Sequence, residues 1–174
     1  MSTTIGANAN IPFDFIASVR RFMEISGQYK GHGDLKTYGF YTGMQLEELA
    51  EKMELIAAGE PNHSDRMHLT ELVTLMKLFA TRFKGGMHLG AIGLADLPEM
   101  LDGDIDLGWV SVGAAHFATI GPKATEWSFE HVAQRNLAKF PNGVVLRDDN
   151  GKVMKPEGWT PPDHTPYVTS FRAD

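Results

Sequence analysis

Leu46-Glu-Glu-Leu-Ala-Glu-Lys-Met-Glu-Leu-Ile56 is the stretch that decides the fold class. Its apolar residues Leu46, Leu49, Met53 and Ile56 return every three or four positions, the spacing of one buried helical face. The helix runs from about Tyr41 to Ala58, where Gly59, Glu60 and Pro61 stop it. Upstream, Phe15, Val19, Phe22 and Met23 mark a first helix that begins near Pro12 or Asp14 and ends before Gly27. Residues 27–39 read as a glycine-rich connection. Downstream, Ser64 or Asp65 caps a third helix, with Leu69, Leu72, Val73, Met76 and Phe79 as its stripe and Gly85 and Gly86 as its end. A fourth starts at Asp96, with Pro98 in its first turn and Glu99 at the third position, and reaches about Thr119. A fifth covers about Thr125 to Phe140, with Phe129, Val132 and Leu137 inward.

Beyond Phe140 the character changes. Five of the nine prolines lie between Pro141 and Pro166, which forbids a long helix. Residues 144–147 and 152–155 flank Asp-Asp-Asn-Gly at 148–151, and Asn-Gly between two such runs signals a hairpin. The expectation is one all-α domain over residues 1–174, with about five helices. A small C-terminal β-hairpin at about 143–155 and an extended tail complete it.

The chain has 174 residues, 43% hydrophobic and 22% charged, enough for one core without covalent staples. It has no cysteine, which excludes disulfides, thiolate metal sites and a cysteine nucleophile. Sixteen Lys+Arg against 22 Asp+Glu leave a net charge of −6, so nucleic acid is not the expected partner. Residues 1–10 lack the charged and apolar regions of a secretory signal, and no 18-residue apolar run spans a bilayer. A cytoplasmic location without membrane contact is expected.

The chemistry is concentrated in carboxylates. Glu48 and Glu51 stand at i and i+3, so they share a helix face with Cβ atoms about 5–6 Å apart. Glu99 and Asp102 repeat that spacing on the fourth helix, and Asp106 follows one turn later. Two such pairs facing each other would repel unless a cation sat between them. Hard carboxylate oxygens without histidine or sulfur suit Mg²⁺ or Mn²⁺ rather than zinc. A plainer account is also open: Glu47, Glu48 and Glu54 as a solvated face beside Lys52, and Glu99 as the capping-box partner of Asp96. Against it, Asp102, Asp104 and Asp106 lie in the otherwise apolar segment 101–112, expected to be buried, where unpaired carboxylates are costly. Gly103, Gly108 and Gly113 each cost that helix about 1 kcal/mol against alanine, as at a close approach of another backbone or a ligand. Arg135, Asn136, Lys139, Arg147, Lys152 and Lys155 offer charge-assisted donors for a phosphate, or are scattered surface cations.

Glu48-x-x-Glu51 followed by Glu99-x-x-Asp102 resembles the signature of the all-α nucleoside triphosphate pyrophosphohydrolases. That superfamily is the MazG-like group, with phosphoribosyl-ATP pyrophosphohydrolase and the dimeric dUTPases. Residues 99–113, Glu-Met-Leu-Asp-Gly-Asp-Ile-Asp-Leu-Gly-Trp-Val-Ser-Val-Gly, are similar to the family's E-x-x-D-A-x-x-D helix. Residues 130–139 and 151–163 look like the C-terminal end of phage members, of the MazZ type. Two departures stand out: forty-seven residues separate Glu51 from Glu99, and Gly103 replaces the usual alanine.

The resemblance implies a MazG-like helical bundle that hydrolyses a (deoxy)nucleoside triphosphate to the monophosphate and pyrophosphate. It implies that Glu48, Glu51, Glu99 and Asp102 hold Mg²⁺ or Mn²⁺, with Glu47 and Asp106 as further ligands or their supports. Glu48 or Glu51 would act as base, and Asn136, Lys139 and Lys155 would bind phosphate. Phe13, Phe15 or Trp109 could stack on the base, though each also reads as core. The MazZ likeness leans the substrate towards a purine, dGTP becoming dGMP, in a homodimer or homotetramer; if phage-encoded, it would work in the host cytoplasm. Two rival readings stand beside it. A ferritin-like di-iron bundle needs Glu-x-x-His on two helices, which this chain lacks. A non-catalytic helical adaptor or virion-associated protein would leave the acidic faces solvated.

Overall fold

Asp14, Asp34 and Asn62 each sit at a point where the chain turns into a helix, and each side chain accepts backbone N–H bonds there. In the computed structural model, residues 13–29, 31, 33–86, 96–148 and 153–169 are described. Five helices result: α1 (Phe15–Ile25), α2 (Leu35–Gly59), α3 (His63–Lys84), α4 (Leu97–Ala118) and α5 (Pro122–Leu137). Among the described residues there is no multi-residue strand, so the all-α expectation holds. No described helix is long and apolar enough to cross a membrane. The chain divides into two compact units, one of residues 30–100 and one of residues 1–29 with 101–174.

In the 30–100 unit, α2 and α3 form a hairpin of helices. Its core is Ala50, Val73 and Met76, with Leu46 and Met53 packed against it. Gly43, Ala50 and Ala57 are buried on α2, and Val73, Met76 and Ala80 on α3. The α2 seam 43–46–50–53–57 therefore alternates three and four residues, as in knobs-into-holes packing. Leu46 and Met53 of the expected stripe lie in the seam, whereas Leu49 and Ile56 remain 40% and 46% exposed, their places taken by Ala50 and Ala57, because small residues let the helices approach closely. On α3, Leu72 and Phe79 likewise stay outside the seam.

The second helix begins six residues before the expected Tyr41, inside the stretch read as a connection. Asp34 explains it: the carboxylate accepts from the Lys36 N–H at 3.1 Å and the Thr37 hydroxyl at 2.7 Å. Gly43 is no breaker either. A Cβ there would meet the Ala80 carbonyl at 2.8 Å and Lys84 Cγ at 2.7 Å, so this glycine exists for contact with α3. The cap of α3 is Asn62 rather than Ser64 or Asp65; its side chain accepts from both of their N–H groups.

The cap at Asp34 makes a pH prediction. The Thr37 hydroxyl holds its carboxyl below the ordinary 3.8, opposed by desolvation and helped by the backbone N–H groups of Thr37 and Lys36. A depressed folded-state pKa stabilises above the unfolded value and is lost as pH falls through the folded one. Asp34→Asn keeps a good cap but removes this titration. Melting curves between pH 7 and 2.5 should show a shallower acid decline for Asp34→Asn than for the parent; parallel declines would contradict the assignment.

In the other unit, α1 packs on α5. Phe15 meets Phe129 edge-on at 5.1 Å and Phe22 meets Phe140 at the same separation. Buried on α5 are Ala124, Thr125 and Ala133, while the expected Phe129, Val132 and Leu137 are half-buried. Pro122 opens α5 three residues before the expected Thr125, since a proline at the first helical position loses no hydrogen bond.

The tail runs along the face of α5 defined by Trp127, His131 and Arg135, one turn apart. Tyr167 packs on Trp127 and His131, and His164 on His131. Arg135 donates to the Thr160 carbonyl and hydroxyl, both at 2.7 Å. Ile120 N–H donates to Tyr167 O, and Thr169 N–H to Ala118 O, around an antiparallel Thr119–Val168 bridge. The expected hairpin at 143–155 is reduced to one antiparallel bridge, Arg147–Val153, with Met154 N–H bonded to Leu146 O. Pro156 has no N–H with which to extend the ladder; most of the turn, residues 149–152, lies outside the described residues.

Candidate functional site

α2 carries its glutamates on two sides. Glu47 pairs with Lys84 of α3 at 2.6 Å, and Glu54 with Lys77 at 2.5 Å. These two stitch the helical hairpin together, one near each end of the seam. Glu48 and Glu51 point elsewhere and are exposed. Among the described residues Glu51 has neither an ion pair nor a hydrogen bond. Glu47 already has its cation, so a role as extra metal ligand would have to break the bond to Lys84.

α4 begins at Leu97 as the capping pattern around Asp96 predicts, and Glu99 lies in its first turn. Glu99, Asp102 and Asp106 are exposed and Asp104 is half-buried. That corrects the expectation of a buried acidic segment: α4 buries none of its residues. Among the described residues, no three histidine, aspartate or glutamate side chains converge as a metal centre. Glu48 with Glu51, and Glu99 with Asp102, therefore stand as two i,i+3 pairs of hard oxygen donors. The donor chemistry of each fits Mg²⁺ or Mn²⁺.

The expected phosphate ligands do come together. Trp159 donates its indole N–H to the Arg135 carbonyl at 2.8 Å, which brings the tail over the end of α5. Lys155 Nζ then lies 4.6 Å from the Trp159 ring centroid and Lys139 Nζ 5.4 Å from it. The Arg135 guanidinium lies 5.7 Å from the same ring. Lys139 also donates to the Asn136 side-chain carbonyl at 2.8 Å. Three cations thus surround one indole at the C-terminal end of a helix, whose dipole favours positive charge there. Sequence reading named Asn136, Lys139 and Lys155 but missed Trp159, the residue that gathers them. The available signal was a lone tryptophan in a proline-rich tail.

Arg147 is not part of this group. It donates to the Ser26 carbonyl, closing the C-terminus of α1, and it lies beside Gly27, whose φ of 65° turns the chain there. Of the aromatics, Phe15 is committed to Phe129 and Phe13 stacks edge-on to Phe15 at 6.3 Å. Trp109 is different: 80% exposed on α4. It lines a groove of about 630 Å³ with Val112, Phe117 and, from α5, Pro122 and Thr125.

Comparison with family models, with curated proteins and with solved structures finds no match.

Proposed function

We propose that the chain is a metal-dependent nucleoside triphosphate pyrophosphohydrolase of the MazG-like kind, converting a purine deoxynucleotide, with dGTP favoured, to its monophosphate. The observation that carries this is the division of the α2 glutamates: Glu47 and Glu54 have lysine counter-ions, whereas Glu51, on a face it shares with Glu48, has none among the described residues. A carboxylate without a counter-ion of its own leaves its hard oxygens open to a cation. Glu48, Glu51, Glu99 and Asp102 would hold Mg²⁺ or Mn²⁺. When bound, such an ion offsets triphosphate charge and acidifies a water.

The chain's own part is acid–base and electrostatic. Glu48 or Glu51 accepts the proton of the water that attacks the α-phosphorus. The bond from that phosphorus to the α,β-bridging oxygen breaks, and its electron pair leaves with pyrophosphate. Lys139, Lys155 and Asn136 bind the departing pyrophosphate, with Arg135 beside them, in a chain otherwise net acidic. Asp106 supports the metal ligands, and Trp109 is the exposed ring available to a base.

Incubating the protein with Mg²⁺ or Mn²⁺ and each nucleoside triphosphate in turn tests this. Monophosphate and pyrophosphate in equal amounts, fastest with dGTP, are expected. Orthophosphate with a diphosphate would move the attack to another phosphorus. No turnover with any nucleotide would leave the non-catalytic adaptor, for which the exposed α4 provides a surface.

A further inference from the structure

A tight turn in the tail, Pro156-Glu-Gly-Trp159, carries one indole to the end of α5. The backbone N–H of Trp159 donates to the Pro156 carbonyl at 3.0 Å. Gly158, with φ of 75°, fills the third position, where a turn of this kind demands positive φ. The Arg135 carbonyl lies in the last turn of α5, whose final carbonyls have no intrahelical partner. The indole N–H takes it at 2.8 Å, and the Arg135 guanidinium returns two bonds to Thr160. Three hydrogen bonds therefore fix the ring against the helix.

What the ring gathers is charge of one sign. Lys155 Nζ, Lys139 Nζ and the Arg135 guanidinium all lie within 5.7 Å of its centroid. No two of them can then be farther apart than about 11 Å, close to the screening length of 0.1 M salt, so they repel one another. The ring face and the half negative charge of a helix C-terminus offset part of that repulsion, but three full charges exceed both. Among the described residues, Lys155 and Arg135 form no ion pair, and neither does Glu157, the acid nearest to Trp159 in the chain. Asn136 gives its side-chain carbonyl to Lys139 and so keeps its amide donors for an acceptor. A multivalent anion is the ligand that such a set of donors fits.

We infer that Trp159 is the positioning residue of a site for two linked phosphates, and that the site is assembled without a metal ion. The ring has no charge with which to hold an anion; it sets the distance between the groups that do. That the anion is pyrophosphate rests on the hydrolysis proposed above; that Trp159 builds the site does not.

Calorimetry on the full chain, with EDTA present and inorganic pyrophosphate as titrant, tests this. One pyrophosphate per chain should bind, more weakly as salt rises, and orthophosphate should bind at least about tenfold more weakly because it reaches fewer of the cations. Lys155→Ala and Trp159→Leu should each lose about tenfold in affinity or more. The second changes no charge, so its loss reports the arrangement alone. Trp159→Phe keeps a ring but not the indole N–H, and should fall between the parent and Trp159→Leu with unchanged helical circular dichroism. Lys123→Ala removes the same charge from the other end of α5, where Lys123 pairs with Glu126, and should bind like the parent. A parent that binds no pyrophosphate without metal overturns the proposal. So do Trp159 variants that bind like the parent, or a Lys123→Ala loss equal to that of Lys155→Ala. Nucleotide turnover beside any of those results leaves the proposed reaction standing. Metal-free binding that depends on Trp159, without turnover of any nucleotide, supports the site and refutes the reaction.

Discussion

Glu51→Gln should lose about 100-fold or more of the Mg²⁺-dependent turnover while the folded state is retained. Glutamine keeps the size and the hydrogen-bonding carbonyl but removes the charge that a cation, or a proton from water, would meet. Stability should change by less than about 0.5 kcal/mol, because the side chain is exposed and unpaired among the described residues. Any change should be towards greater stability without metal, since one of two like charges on a shared face has gone. The parent's melting temperature should rise on adding Mn²⁺, and that rise should shrink in the variant. Glu47→Gln is the matched control. It breaks the 2.6 Å pair with Lys84 and so costs up to about 1 kcal/mol, with turnover largely kept. Full activity in Glu51→Gln, or an equal loss in Glu47→Gln, would show that position on α2 is not what matters. Initial rates and urea midpoints on the three proteins decide it.

Gly43→Val should be the most damaging single change to the fold. A Cβ at this position has the Ala80 carbonyl at 2.8 Å, Lys84 Cγ at 2.7 Å and Lys84 N at 3.0 Å, and two of those three atoms are backbone. Only a shift of α3 away from α2 can relieve the clash, and that opens the seam at Ala50, Val73 and Met76. Overpacking of this kind costs about 1–3 kcal/mol, and valine's second methyl places it at the upper end. Gly43→Ala should lose less, because alanine recovers about 1 kcal/mol of helix propensity. Gly59→Ala, in the same helix with nothing within 4 Å, should be neutral or stabilising. Urea unfolding of the three variants checks the order; equal stability at positions 43 and 59 would mean that α3 does not approach α2 as described.

These two glycines show why part of the molecule was legible beforehand and part was not. A glycine in a helical pattern reads as a turn signal or a weak point, and the glycines within residues 27–39 make that stretch read as a connection. Yet a polar residue at the right position, Asp34, starts α2 there, and the absence of a side chain at Gly43 serves a neighbour 37 to 41 residues later in the chain. Half of the expected α2 stripe, Leu49 and Ile56, gave way to its neighbours for the same reason. Periodicity scores leucine and isoleucine, whereas close helix packing selected Ala50 and Ala57 and left Leu49 and Ile56 outside. The hairpin signal at Asn150-Gly151 was local; how far its arms pair depends on Pro156 and on the rest of the tail.

The candidate site divides in the same way. The i,i+3 carboxylates were readable because both partners sit on one helix, where spacing alone sets their distance. Which glutamates already have a counter-ion was not, since Lys77 and Lys84 arrive from α3. The cations at 139 and 155 could be named but not joined, because the joining residue is Trp159 and its anchor is the Arg135 carbonyl.

Amino-acid order alone settled the helical class, the five segments and the carboxylate spacing, because those follow from contacts between near neighbours in the chain. Tertiary structure decided which face of α2 is buried, which acids of α2 are neutralised, and how the tail gathers its cations around Trp159. Those outcomes depend on side chains distant in sequence competing for the same surface, a competition that no local pattern records.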